Sequence, residues 1–142
     1  MDNLFVENPT WAIGIVIALF AIVVSYRQID IRNKRSKIIQ AVTEFKNSFA
    51  EIIHELKTTS EGAVFNLGGT IEEGHERAKT QLEVCLSGKG IRRLNKIWSQ
   101  YKRDTKKYYA KISGHNQDPS SQWREEFISE INSMLQKVSK IT

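Results

Sequence analysis

Uncharged and largely apolar residues fill sixteen consecutive positions near the N-terminus, from Trp11 to Tyr26. Drawn as a helix, this run is apolar on every side rather than along one stripe, which favours a lipid environment. At 1.5 Å per residue it extends about 24 Å, somewhat less than a hydrocarbon core of about 30 Å. The pattern therefore predicts one short transmembrane helix over residues 11–26, with Trp11 and Tyr26 as interfacial anchors and Arg27 reaching for the headgroups.

Two other interpretations of this apolar run are open to the sequence. A buried core helix can have the same length. A cleaved signal peptide is disfavoured, because Asp2 and Glu7 precede the run and SYRQ closes it, whereas a cleaved signal begins with positive charge and ends in small residues. Of the three interpretations, a retained transmembrane helix agrees best with the residues.

The charges that flank the run are one-sided. The first ten residues contain no Lys or Arg, and the eleven residues after Tyr26 contain five. The positive-inside rule then places residues 1–10 outside the cell and residues 27–142 in the cytoplasm. The single cysteine, Cys85, is consistent with a reducing compartment, and we expect it to be a small buried apolar residue.

From residue 27 onward, apolar residues recur at alternating steps of three and four, the spacing of a helix face packed against other helices. Helices are predicted at about 27–57, 71–87, 91–113 and 119–141. No Gly or Pro lies between Gly14 and Gly62, so the first of these helices is expected to continue from the span without a break. The pattern predicts an all-α chain, in which the N-terminal transmembrane helix is continuous with a cytoplasmic antiparallel helical bundle.

The apolar stripes of the four helices define the expected core. They consist of Ile38, Val42, Phe45, Phe49, Ile52 and Leu56 in the first helix; Ile71, Ala78, Leu82 and Cys85 in the second; Ile91, Leu94, Trp98, Tyr101, Thr105, Tyr108 and Ile112 in the third; and Trp123, Phe127, Ile131, Met134, Val138 and Ile141 in the fourth. Thr70 with Glu73 predicts a capping box at the start of the second helix, and Gly88 predicts its end.

Motifs for catalysis and for cofactor or metal binding are missing from the sequence. It contains no HExxH pair, no GxSxG and no glycine-rich phosphate or dinucleotide loop. The histidines His54, His75 and His115 lie far apart along the sequence. His75 with Glu72 and Glu76 could meet His54 across the first two helices and hold a metal, but solvated or core histidines explain them better. We expect a protein that is not an enzyme and has no cofactor.

Positive charge is concentrated in the third predicted helix. The whole chain has a formal net charge of +5, whereas residues 91–113 hold eight Lys or Arg against Asp104, a net of +7. Five of these cations lie nearly opposite the apolar stripe and form a continuous basic face: Arg92, Lys96, Arg103, Lys106 and Lys107. Such a face could be solvated, bind nucleic acid, bind an acidic partner, or pair with an acidic helix of the same bundle. The cluster at residues 27–37 is the better surface for anionic lipid.

Two further features suggest association. Small residues recur along one face of the span, where they allow close helix approach in lipid: Gly14, Ala18, Ala21 and Ser25. The connector between the first two cytoplasmic helices is too apolar for a solvated loop and is expected to fold back or contact a partner through Val64, Phe65 and Leu67.

Three segments follow the predicted span in a recognisable order. They are FKNSFAEIIHEL at residues 45–56, EEGHERAKTQLEVCL at residues 72–86 and LNKIWSQY at residues 94–101. In this order the chain resembles a loose group of small uncharacterised bacterial and prophage-associated single-pass membrane proteins with a helical cytoplasmic domain. The resemblance implies a location in the bacterial inner membrane and roles in phage exclusion or envelope control, and it implies no activity or site residues.

Three functions are therefore considered from the sequence. The preferred one is a membrane-anchored interaction protein whose cytoplasmic helices dock a protein partner or self-associate. The second is a membrane-perturbing oligomer of the phage-lysis or abortive-infection type, assembled through the face that contains Gly14. The third is a membrane-tethered nucleic-acid binder that uses the basic face of the third helix.

Overall fold

The computed structural model describes residues 9–58, 70–113 and 122–141, and their regular structure is entirely helical. The five helices are α1 (Pro9–Asn47), α2 (Ala50–Thr58), α3 (Thr70–Cys85), α4 (Gly88–Ser113) and α5 (Gln122–Ser139). The predicted all-α class is confirmed. The predictions made for Val64, Phe65 and Leu67, and for the start of the last helix at Pro119, lie outside the described residues.

The chain divides into two compact units, Met1–Ser36 and Lys37–Thr142. In the first unit the described residues form the N-terminal part of α1, and their large apolar side chains are exposed. Within the described residues, this N-terminal helix is the one long and apolar enough to cross a membrane. Signal sequences share that length and composition.

The second unit has a core of aromatic and aliphatic side chains from the end of α1 and from α2 to α5. In this unit α5 packs against α4 and α2, and α3 packs against α4. Phe45, Phe49, Leu94, Phe127 and Ile131 are completely or almost completely removed from solvent. Burying a side chain of this size contributes roughly 1.5–3 kcal/mol to folding, so the apolar stripes supply most of the driving force for this unit.

The prediction of an unbroken helix through residue 57 is wrong at Ser48 and Phe49, where α1 ends and α2 begins. The Ser48 hydroxyl donates to the Phe45 carbonyl (2.7 Å), and the Phe49 amide donates to the carbonyl of Lys46, three residues back, at 3.1 Å. Serine hydroxyls that bond to the preceding turn bend helices, because they compete with the regular backbone ladder. The carbonyl oxygen of Ser48 accepts a hydrogen bond from another helix, through the ring of His75.

The turn between α3 and α4 also differs from the prediction. We expected Gly88 to end the second cytoplasmic helix, but α3 ends at Cys85 and Gly88 begins α4. Ser87 caps the new helix: its hydroxyl accepts from the Gly90 amide (3.4 Å) and its carbonyl accepts from the Ile91 amide (2.8 Å). Serine is a preferred N-cap residue because it satisfies amides that have no partner within the helix.

Candidate binding surfaces and a buried histidine

The predicted association face of the span is open in the structure. Gly14, Ala18, Ala21 and Ser25 are all exposed on α1, and a Cβ added to Gly14 would meet nothing within 4 Å. The predicted interfacial anchors are exposed as well, with Trp11 at 44% and Tyr26 at 72%. Arg27 is also exposed.

The predicted basic surface lies on the solvent side of α4, and we call it the α4 basic face. Its five members, Arg92, Lys96, Arg103, Lys106 and Lys107, are exposed. None of the five forms an ion pair with another described residue. Lys107 leans over the ring of Tyr108, with Nζ 4.7 Å from the ring centroid. The face therefore presents its positive charge to solvent within the described part of the chain.

A different lysine of α4 pairs with the acidic helix α3. Lys102 Nζ lies 2.8 Å from Glu76 Oε1, and the indole Nε1 of Trp98 donates to the same oxygen at 3.2 Å. Partial burial opposes ionisation of Glu76, but the hydrogen bonds from Lys102 and Trp98 outweigh it and hold the pKa of this carboxyl below its usual value. The sequence left open that the basic face itself pairs with an acidic helix, but the ion pair between α4 and α3 uses Lys102, which lies outside the α4 basic face.

The sequence left open whether His75 is solvated or in the core; the structure buries it and gives it contacts that the sequence did not predict. This side chain is only 3% exposed, and its ring stacks on that of Phe49 with centroids 3.8 Å apart and planes 14° from parallel. Nε2 lies 3.0 Å from the Ser48 carbonyl oxygen, and Nδ1 lies 3.3 Å from the Tyr109 hydroxyl. Burial lowers the pKa of His75 to about 4, against weaker opposing effects of the Ser48 hydrogen bond and the charge of Glu76.

The partners of His75 assign the tautomer of its neutral ring. A backbone carbonyl can only accept, so Nε2 must carry the proton that is donated to Ser48. Nδ1 is then the acceptor, and the Tyr109 hydroxyl donates to it. The Tyr101 hydroxyl, 3.0 Å from that of Tyr109, completes the chain as the donor to Tyr109.

Of the two tyrosines in this chain of hydrogen bonds, Tyr101 is buried and Tyr109 is half-buried against the core. Burial raises the pKa of Tyr109 to about 12, and it raises the pKa of Tyr101 further, with the neighbouring Tyr109 adding to the effect. Both hydroxyls therefore stay protonated at neutral pH and act as hydrogen-bond donors. The chain from Ser48 through His75 to the tyrosines connects the helix break, α3 and α4 by polar contacts inside an apolar core.

A shallow cleft opens beside this chain. It is lined by Glu72, His75, Glu76, Trp98, Tyr101, Lys102 and Tyr109. Both ring nitrogens of His75 are engaged within the protein, and the described residues contain no group of three or more His, Cys, Asp or Glu that could hold a metal ion. His54, the other histidine considered for a metal, is exposed on α2. The arrangement around His75 is suited to fixing helices relative to one another.

A signal for the burial of His75 is present in the sequence. His75 falls between Ile71 and Ala78 at steps of four and three, in register with Leu82. His75 thus lies on the apolar side of α3, but a search for apolar residues alone does not include it because histidine is polar.

No family model matches the chain, and neither the curated proteins nor the solved structures contain a match.

Proposed function

We propose that the protein is a single-pass membrane-anchored interaction protein. The N-terminal part of α1 spans the membrane, and the helical unit from residue 37 onward docks a protein partner or a second copy. The observation that carries this proposal is that none of the described apolar side chains of the N-terminal helix is buried within its own unit. Exposing a row of large apolar side chains to water is unfavourable by about 25 cal/mol per Å² of apolar surface, whereas lipid removes that cost.

The orientation in this proposal has the N-terminus outside and the C-terminus in the cytoplasm. The five cations at residues 27–37 against none in the first ten residues support it. The resemblance described above supplies the bacterial inner membrane as the setting, with phage exclusion or envelope control as the biological context. In this arrangement the helical residues from 37 onward form the antiparallel cytoplasmic bundle expected from the sequence.

Docking of a protein partner and self-association are supported by different parts of the chain. The apolar connector residues Val64, Phe65 and Leu67 are the predicted contact with a protein partner. The open face around Gly14 supports self-association, because small residues allow two helices to approach closely in lipid.

The proposal is tested by expressing the full chain and a chain that begins at residue 27, then measuring membrane fractionation, growth and membrane potential in the same cultures. We expect the full chain in the membrane fraction after an alkaline wash, the truncated chain in the soluble fraction, and normal growth and potential for both. A full chain that is released by the wash would contradict the membrane anchor.

The membrane-perturbing alternative gives a different result in the same cultures. It predicts loss of membrane potential with the full chain, and restoration of the potential by Gly14→Leu. Val23→Leu, on the opposite side of the span, is the matched control and should restore nothing. Normal potential in cells that express the full chain would exclude this alternative.

A further inference from the structure

The solvent side of α4 has an unusual composition over its whole length. Cations recur at Arg92, Lys96, Arg103 and Lys106, which are about 21 Å apart from first to last at 1.5 Å per residue. Between them lie polar side chains that can donate hydrogen bonds, Ser99 among them. The one acidic residue of α4, Asp104, lies toward the edge of this surface. Charge and hydrogen-bonding capacity are therefore the only recognition chemistry that this face offers.

Between Arg92 and Lys107 the α4 basic face has no exposed apolar side chain, which disfavours a protein as its ligand. Stable protein interfaces depend on a few buried aromatic or aliphatic anchors within a polar rim. Of the aromatic side chains of α4, Trp98, Tyr101 and Tyr108 are buried in the core of their own unit, and Tyr109 is half-buried against that core. The same burial removes the stacking platforms on which single-stranded nucleic acids bind.

An anionic lipid surface is also a poor ligand for this face. Helices that bind bilayer surfaces insert an apolar side between the headgroups and use cations at the flanks. In α4 the apolar side packs against α5 and α3, so it is occupied within the protein.

A regular polyanion that needs no apolar contact matches the face best. Double-stranded DNA carries one negative charge per about 1.7 Å of its axis, and its major groove, about 12 Å wide, admits an α-helix. The major groove of double-stranded RNA is deep and narrow, so a helix cannot lie in it and reach the phosphates on both sides. We propose that the α4 basic face binds the phosphate backbone of double-stranded DNA, an activity that goes beyond the protein docking proposed above.

The test uses the full chain in micelles of an uncharged detergent and a fluorescein-labelled 20-base-pair DNA duplex, with binding measured by fluorescence anisotropy at several salt concentrations. The test variant is R92Q/K96Q/R103Q/K106Q, which keeps Lys107 because that side chain contacts Tyr108. The control variant removes four exposed cations elsewhere in the same unit, K46Q/K57Q/R77Q/K137Q, and therefore has the same net charge.

We expect the full chain to bind the duplex at 50 mM salt and to lose affinity as salt rises. Each phosphate contact contributes a slope of about 0.9 in log affinity against log salt, so removing four cations should weaken binding at least about tenfold and reduce the slope by about 3.6. The control variant should bind like the unmodified chain. Circular dichroism of both variants establishes that they keep their helices.

Four results would overturn the proposal. They are no binding of the duplex at 50 mM salt, an equal loss in both variants, competition by polyglutamate as effective as that by unlabelled duplex, and tighter binding of anionic lipid vesicles than of DNA. The last two would identify an acidic polypeptide or a lipid as the ligand. None of these results affects membrane fractionation, so the inference can fail while the proposed membrane anchoring stands.

Discussion

At the scale of single residues, His75 shows how a titratable group can serve as a structural one. Its ring stacks on the ring of Phe49, and its two nitrogens form hydrogen bonds with the Ser48 carbonyl and the Tyr109 hydroxyl. A buried polar group with a hydrogen-bonding partner for every polar atom avoids the cost of about 1–3 kcal/mol that an unsatisfied group would impose. The protonated form is disfavoured because its charge would be buried, and the Tyr109 and Tyr101 hydroxyls would have to reverse their hydrogen bonds to accept from Nδ1.

This arrangement makes the stability of the helical unit sensitive to pH. The pKa of His75 is lowered from 6.5 to about 4, so between these two values the unfolded chain binds a proton that the folded chain does not. The stabilisation is complete above pH 6.5 and is lost as the pH falls toward 4. The loss attributable to His75 amounts to about 3 kcal/mol, from 1.36 kcal/mol for each pKa unit.

Urea unfolding of the full chain in uncharged detergent, followed by circular dichroism from pH 8 to pH 3.5, measures this effect. The carboxylates also titrate in this range, so the informative quantity is the difference between the unmodified chain and His75→Gln, whose free energy of unfolding should fall less steeply below pH 6.5. His54→Gln, at an exposed position, is the control and should keep the full slope. Equal slopes for His75→Gln and the unmodified chain would show that His75 is not buried as a neutral ring.

At the scale of the helices, the sequence predicted the packed faces better than their ends. The stripe residues Phe45, Leu94 and Phe127 are buried as expected, because a spacing of three and four leaves only one side of a helix apolar. The break at Ser48 was not predictable in the same way. It depends on a hydroxyl bond within the preceding turn and on a carbonyl that His75 satisfies from 27 residues along the chain.

The turn from α3 to α4 was missed for a related reason. Glycine at position 88 is a common residue just after the end of a helix, whereas Ser87 beside it is a common N-cap at the start of one. The local sequence alone does not show whether the glycine or the serine sets the helix boundary. Tertiary packing favours the cap, because Gly90 in the first turn of α4 lies against Leu86 and Ile141. Among the binding surfaces, the α4 basic face followed from helical spacing alone, whereas the polar chain around His75 required knowledge of which helices pack together.

Substituting alanine at two helical glycines distinguishes packing from helix propensity. A Cβ at Gly90 would lie 3.2 Å from Leu86 Cβ and 3.4 Å from its Cδ2, so Gly90→Ala should lower the free energy of unfolding by roughly 1 kcal/mol. A Cβ at Gly74, within α3, would meet nothing within 4 Å, and Gly74→Ala should raise it by up to about 1 kcal/mol.

Urea unfolding at neutral pH measures both glycine variants. If Gly90→Ala stabilised the protein as much as Gly74→Ala does, the chain at Leu86 would have to move aside. The close approach of the turn to α4 would then not determine where α4 begins.

At the scale of the whole molecule, the charge asymmetry around the N-terminal helix and the single cysteine allow a direct test of orientation. Replacing Cys85 by serine leaves a background without thiols, into which one cysteine is introduced either at Asn3 or at Gln136, which is exposed on α5. With the N-terminus outside, a membrane-impermeant maleimide should label Asn3→Cys in intact bacterial cells and Gln136→Cys only after the membrane is permeabilised. The reverse pattern would contradict the orientation that the positive-inside rule predicts.

The same labelled samples separate a retained anchor from a cleaved signal sequence. A retained span keeps residue 3 and residue 136 in one polypeptide, so the intact mass of the purified Asn3→Cys chain should include the label and all 142 residues, apart from any loss of the initiator methionine. Cleavage would remove the labelled residue and release the helical unit on the far side of the membrane, where Gln136→Cys would react in intact cells. A full-length mass together with labelling of Gln136→Cys only after permeabilisation would mean that the apolar helix stays in the membrane as an anchor. It would also mean that α4 and its basic face are in the cytoplasm, which is the compartment that contains the DNA of a bacterial cell.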